Sequence, residues 1–233
     1  MSGTQVKVAS YNIRKAVGTD RVRHPIRILN VLEEVGADIV VLQEADRRFG
    51  SRETVLPPSV IEAHSDYKPV PLDVPVDSMG WHGNAILVHK DIAIEQHDTH
   101  HIPYLEPRGL VTATLGIGGR SLAVFGMHLD LSGLRRTRQA SEIAELALEH
   151  SDHPTVLTGD LNEWRSNGGC LRVFDRHFSV LDCGRSFHAL RPMARLDRIM
   201  HCDKVQAIDW GVHQSPLARK ASDHLPVWAT LKF

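Results

Sequence analysis

The sequence predicts an α/β protein in which two mainly antiparallel β-sheets pack face to face, with helices outside. Three observations lead there. Strand-like apolar runs outnumber helical ones, only two stretches carry clear helical periodicity, and several strands follow one another through turns too short for a crossover helix. A single doubly wound sheet would need a helix between most of its strands.

The elements read in order. "VKVASYNI" alternates and ends near Asn12, and "ADIVVLQE" is continuously apolar up to Gln43 and Glu44, as for a strand covered on both faces. Between them, "PIRILNVLEEVG" repeats apolar residues at helical spacing (Ile28, Leu32, Val35) and stops at Gly36. Residues 48–79 are rich in Pro and polar side chains and read as loops. Strands resume at "NAILVHK", and "LVTATLGIGGRSLAVFGMHLD" is a hairpin whose second arm delivers His128. "SGLRRTRQASEIAELALEH" is an amphipathic helix with Ser132 as its cap and Ala140, Ile143, Ala144 and Ala147 on one stripe. After "TVLTGDLN" come a loop or short helix and three strands, "RLDRIMHC", "VQAIDWGV" and "LPVWATLKF".

With 233 residues, 42% of them hydrophobic and 24% charged, the chain can bury a sizeable core. No compositional break, repeat or low-complexity tract divides it, so residues 1–233 are expected to form a single domain. A formal charge of -1 gives no global attraction to nucleic acid or anionic membranes and leaves only local basic patches. The N-terminus lacks the apolar centre of a signal peptide, and no run reaches bilayer-spanning length; a cytoplasmic monomer without stable membrane insertion is expected. Cys170, Cys183 and Cys202 are widely spaced and odd in number, hence packing residues rather than disulfide partners or zinc ligands.

Chemistry gathers where strands end. Asn12, Glu44, His128, Asp160 with Asn162, Asp197, and Asp223 with His224 lie in or beside apolar runs, mostly at their ends. Each has a plain structural reading: Asn and Asp form turns, Asp160 and Asn162 can cap a following helix, and Asp197 can pair with a neighbouring arginine. Alternation along an extended chain would also point Asp160 and Asn162 to one side. Collectively, carboxylate and amide oxygens suit a hard cation such as Mg²⁺ or Mn²⁺, and histidines beside carboxylates can be held ready to exchange a proton. The set reads as metal-assisted phosphoryl chemistry.

The ordered series "SYNI", "VLQEAD", "MHLD", "TGDLN", "LDRI" and "SDHLPV" resembles the endonuclease/exonuclease/phosphatase superfamily from about Ser10 to Val227. The resemblance implies a four-layer α/β sandwich of the deoxyribonuclease I type and a metal-dependent phosphoesterase, in the first place a phosphodiesterase. It implies that Asn12 and Glu44 hold Mg²⁺ or Mn²⁺ with Asp223 close by. Asp160 would orient or deprotonate an in-line attacking water, and Asn162 would bind that water or a phosphate oxygen. His128 would contact the phosphate or the leaving oxygen, and Asp197 would brace His224, which stabilises developing charge. Nucleic acid, a lipid headgroup or a small phosphate ester all fit as substrate; a nuclease and a phosphomonoesterase are the alternatives, and a non-catalytic binding module ranks below them.

Arg108 in "PRGLV" and Arg136 in "LRRTRQ" are candidate phosphate contacts, since a guanidinium fork can grip a phosphate. Arg14 and Lys15, just beyond Asn12, are weighed with them. His97, His100 and His101 in "QHDTHH" invite a zinc or nickel reading, but the sequence places no partner carboxylate there, and a polar surface loop is expected.

Overall fold

The computed structural model describes residues 3–47, 53–74, 78–102, 109–150 and 152–233. The first half comprises β1 (Gln5–Asn12), a 3₁₀ turn (Arg14–Ala16), α1 (Pro25–Val35), β2 (Ile39–Gln43), α2 (Pro58–His64), β3 (Tyr67–Pro69), β4 (Ala85–His89), β5 (Ala93–His101) and β6 (Gly109–Ile117). The second half comprises β7 (Arg120–His128), α3 (Gly133–Glu149), β8 (Thr155–Asp160), α4 (Leu171–Phe174), β9 (Ser179–Leu181), β10 (Asp197–His201), β11 (Gln206–Val212), α5 (Pro216–Ala221) and β12 (Val227–Lys232).

The strands form two six-stranded sheets, ordered β11-β12-β1-β2-β4-β3 and β5-β6-β7-β8-β10-β9. Pairing is antiparallel except for β1 with β2 and β7 with β8. In both parallel pairs the strands are joined through a helix, α1 and α3, as a parallel crossover requires.

Side-chain alternation builds the layers. Val6 and Val8 of β1, Ile39 and Val41 of β2, Val124 of β7, Val156 of β8, Ile199 of β10 and Val227 of β12 fill the space between the sheets. The opposite faces serve the helices: Tyr11, Val40 and Leu42 pack with Ile28 and Leu32 of α1, while Phe125, Leu157 and Met200 pack with Ile143 and Ala144 of α3. Four layers result. Truncating a fully buried side chain such as Phe125 to Ala would cost about 3–5 kcal/mol.

The β6–β7 hairpin turns at Gly118 and Gly119, both left-handed (φ 57° and 76°), as a two-residue turn between twisted strands demands. Ser132 occupies the N-cap position of α3 but makes no capping bond; its backbone N–H instead donates to Asp130 Oδ1 at 2.8 Å. The Pro-rich segment expected to be loop contains α2 and β3. Pro57 and Pro58 sit where a missing N–H costs a helix start nothing. "QHDTHH" lies in β5, not in a loop: it is a strand at a sheet edge, exposed on both faces, so it has no apolar alternation to betray it.

Candidate active site

The alternation that fills the inter-sheet core also aims the polar residues. On β1 the inward series Val6, Val8 continues to Ser10 and Asn12; on β8, Val156 leads to Thr158 and Asp160; on β7, Val124 leads to His128. Register then sets them side by side, His128 opposite Asp160 and Asp160 opposite Asp197. The second sheet thus presents three polar side chains on adjacent strands, and Asn12 meets them from the first.

All of these side chains are almost fully buried, and they bond to one another. Asn12 Nδ2 donates to Asp160 Oδ2 at 3.0 Å, and His128 Nε2 lies 3.4 Å from the same oxygen. His224 Nδ1 is 2.9 Å from Asp197 Oδ2, with its Nε2 3.7 Å from Asp160 Oδ2. Ser186 Oγ donates to Asp197 Oδ2 at 2.5 Å. His224 precedes β12 and is fixed by its chain neighbours: Ser222 Oγ donates to the Asn12 carbonyl at 2.7 Å, and Ala189 N–H to the Asp223 carbonyl at 2.7 Å. The Phe187 ring packs against the imidazole with centroids 4.8 Å apart.

Strand β8 runs through Gly159 to Asp160, two residues past the apolar run. Only glycine fits there, because a Cβ would stand 1.9 Å from the Met127 carbonyl oxygen. Asp160 and Asn162 are brought together by a turn rather than by strand alternation. Asn162 is left-handed (φ 50°), its N–H donates to Asp160 Oδ1 at 2.9 Å, and its Nδ2 donates to the Leu129 carbonyl at 2.9 Å.

Glu44 and Asp223 flank this group, and each carries an ion pair. Arg14 and Lys15 belong to the turn after Asn12, where three successive residues are left-handed (φ 47°, 54° and 57°). Lys15 Nζ contacts Glu44, and Arg14 Nε lies 3.3 Å from Asp223 Oδ2. Of the seven described non-glycine residues with positive φ, five (Arg14, Lys15, Ala16, Glu44 and Asn162) stand at this edge. Strain of this kind concentrates where positioning outweighs local stability.

Charges are correspondingly displaced. Burial alone would lower the His224 pKa, but the carboxylates of Asp197, Asp160 and Asp223 overcome it and push it up to about 10. Burial would raise Asp160; His224, His128 and the Asn162 N–H override it and hold the carboxyl well below its usual range. At neutral pH the centre therefore contains an imidazolium facing a carboxylate.

Asp160, Asp197 and His224 offer donor atoms within 4.8 Å of one another, enough for a metal ion. Oxygen donors stand beside this group: Asn12, Glu44 and Asp223, with the buried Asp197 Oδ1, which has no hydrogen-bond partner among the described residues. That chemistry fits Mg²⁺ or Mn²⁺.

The sequence matches the Endonuclease/Exonuclease/phosphatase family over residues 9–224, nearly the whole chain. The chain belongs to that family. No curated protein matches it. Among solved structures, a family protein from Bacteroides thetaiotaomicron superposes with a TM-score of 0.81 at 19% identity, covering 100% of this chain and 99% of that one. The mannosyl-6-phosphatase Bt3783 from B. thetaiotaomicron VPI-5482 gives 0.79 at 20% identity, covering 98% and 100%. D. rerio TDP2 complexed with single strand DNA product gives 0.72 at 16% identity, covering 98% and 99%. These likenesses show the deoxyribonuclease I-like fold, and membership of the family supports phosphoester hydrolysis.

Not every expected site residue joins the cluster. Arg108 lies outside the described residues. Arg136 is buried and committed inward: Nη1 donates to the Leu131 carbonyl at 2.6 Å, and Nη2 lies 3.3 Å from Glu163 Oε2. Its place is that of a brace between α3 and the segment after Asn162, not of a free fork. His100 Nε2 bonds Thr112 Oγ1 at 3.1 Å, and the β5 histidines form no metal-holding group among the described residues. Sequence reasoning missed Ser186 and Phe187. A serine and a phenylalanine between strands carry no signal until the chain folds back on His224.

Proposed function

We propose that the protein is a Mg²⁺- or Mn²⁺-dependent phosphodiesterase in which Asp160 and His224 act at the scissile phosphate. One observation carries this reading: the buried Asp197–His224–Asp160 series, with a cation held between two carboxylates and joined to Asn12 of the opposite sheet.

In this reading Asn12, Glu44 and Asp223 hold the ion, which when bound offsets phosphate charge and makes a nearby water more acidic. Asp160 is ionised, and its Oδ2 already accepts from Asn12, so it can orient a water for in-line attack or take its proton. Asp197 fixes the His224 ring through Nδ1 and leaves Nε2–H to stabilise charge developing on the phosphate. His128, also on Asp160, contacts the phosphate or the leaving oxygen, and Asn162 presents its amide beside the attacked phosphorus. Positioning and electrostatics do most of the work.

A diester is favoured over a monoester because Arg14 and Lys15, the cations beside the His224 imidazolium, already pair with Asp223 and Glu44. They form no free cluster for a dianion.

The test is a panel of a chromogenic diester, plasmid, single-stranded DNA, RNA, phospholipids and sugar phosphates, assayed with Mg²⁺, Mn²⁺ and chelator. Metal-dependent diester turnover is expected, lost in Asp160→Asn with the fold retained. Activity on monoesters alone would overturn the diester assignment.

A further inference from the structure

Two loops and the start of α3 border the site, and each carries exposed apolar side chains. Leu131, Leu134, Trp164, Leu190 and Met193 are between 59% and 69% exposed, and they make up five of the nine large apolar side chains exposed among the described residues. A single exposed leucine means nothing; a group gathered at one opening does.

The loops form one continuous rim. Arg136 joins the Leu131 carbonyl to Glu163, next to Trp164. The Trp164 ring meets Phe187 edge-on at 5.9 Å, and Phe187 in turn touches His224. Met193 N–H donates to the Phe187 carbonyl at 2.6 Å, closing the loop that holds Leu190 and Met193 at its tip.

The rim is also rich in arginine, two of whose side chains, Arg136 and Arg195, pair with Glu163 and Asp182. Residues 131–138, 164–170 and 185–195 contain seven arginines and no Asp or Glu, although the whole chain is nearly neutral. Arg138, Arg165, Arg185 and Arg191 are exposed. Aliphatic tips beside arginines, with a tryptophan between them, match the boundary between acyl chains and anionic headgroups, where apolar area and cations both contribute. A nucleic-acid strand would use the arginines and Trp164 and leave four aliphatic side chains in water.

We infer that this rim docks on an anionic lipid surface and that the diester delivered to the site is that of a phospholipid headgroup. The inference rests on the phosphodiesterase reading for the chemistry and stands apart from it for the docking. No helix of the described residues is long and apolar enough to cross a membrane, and none is needed for docking at the surface.

The test is sedimentation with vesicles of phosphatidylcholine alone or mixed with phosphatidylglycerol, run beside hydrolysis of a soluble chromogenic diester. The protein is expected to sediment with the anionic vesicles at about 0.1 M salt and much less at about 1 M. The double variant Leu190→Ser/Met193→Ser is expected to bind them at least about tenfold more weakly and still turn over the soluble diester as wild type does. Vesicles left unbound by an enzyme active on the soluble diester would overturn the inference. So would binding of a single-stranded oligonucleotide in place of vesicles. Vesicle binding by a wild-type protein inactive on every diester upholds the docking surface and overturns the phosphodiesterase reading instead.

Discussion

Asn12 of the first sheet donates a 3.0 Å hydrogen bond to Asp160 of the second, a polar tie between sheets that meet mainly through apolar side chains. It holds the same carboxylate oxygen that His128 and His224 face. Asn12→Ala is therefore expected to lower kcat by about 100-fold, the scale for losing one positioned donor in a buried site. Thermal melting should fall by only a few degrees, and a variant that melts like wild type with unchanged kcat would remove Asn12 from the chemistry.

The Asp197–His224 pair gives a pH test with a definite sign. A histidine whose pKa is raised keeps its charge as pH climbs, so its stabilising effect is fully present below the unfolded value near 6.5 and is lost as pH rises through about 10. Activity that needs the imidazolium should fall over that same alkaline range. Asp197→Asn removes the carboxylate on Nδ1 and is expected to move the alkaline fall of the kcat profile to lower pH, with KM little changed. An unshifted profile would show that Asp197 does not set the charge on His224.

Gly159→Ala would press a methyl group into the Met127 carbonyl, a backbone group that cannot swing aside. Destabilisation of several kcal/mol is expected from overpacking at a strand pairing that cannot yield. The same change should displace Asp160, next in sequence, so chemical denaturation and turnover should both report it. Gly119, where a Cβ would meet nothing within 4 Å, provides the contrast: Gly119→Asn should be mild.

Lys15 and the proposed divalent ion share one carboxylate. Glu44→Gln should raise the Mg²⁺ concentration for half-maximal activity at least about tenfold, whereas Lys15→Met, which removes the competing cation, should lower it. Titrations of activity and of melting temperature with Mg²⁺ read both shifts. If the two variants move the midpoint the same way, Glu44 is not a ligand.

Burial pushes the Cys170 thiol up to about 11 and the Cys183 thiol up to about 12, while Cys202 is partly exposed. A thiol reagent at pH 8 should label one cysteine quickly in the native protein and all three after denaturation. Rapid native labelling of Cys170 would place it outside the core.

Much of the site was legible because it is an extension of strand alternation. Residues that fill the gap between sheets continue in steps of two to Asn12, His128, Asp160 and Asp197, so apolar pattern and chemistry were read together. The elements left unread lack that pattern for physical reasons. Strand β5 is exposed on both faces, and β9 has only three residues. Helix α5 has six, too few to show a period, although Ser215 accepts from Ala218 N–H and Pro216 follows it, a usable start signal. Strand alternation predicts Asp160 and Asn162 on one side, and the structure brings them together instead by a left-handed turn at Asn162, whose turn-forming side chain is the signal that alternation passes over.

The parts of the site come from two separate sheets, and this ties catalysis to how those sheets sit on each other. A slight slide or rotation at their interface would leave each sheet's own ladder intact while parting Asn12 from Asp160. Mild repacking deep in that interface, such as Val41→Ala or Val156→Ala, should therefore erode turnover at temperatures where the fold still holds, making the enzyme a gauge of its own interior.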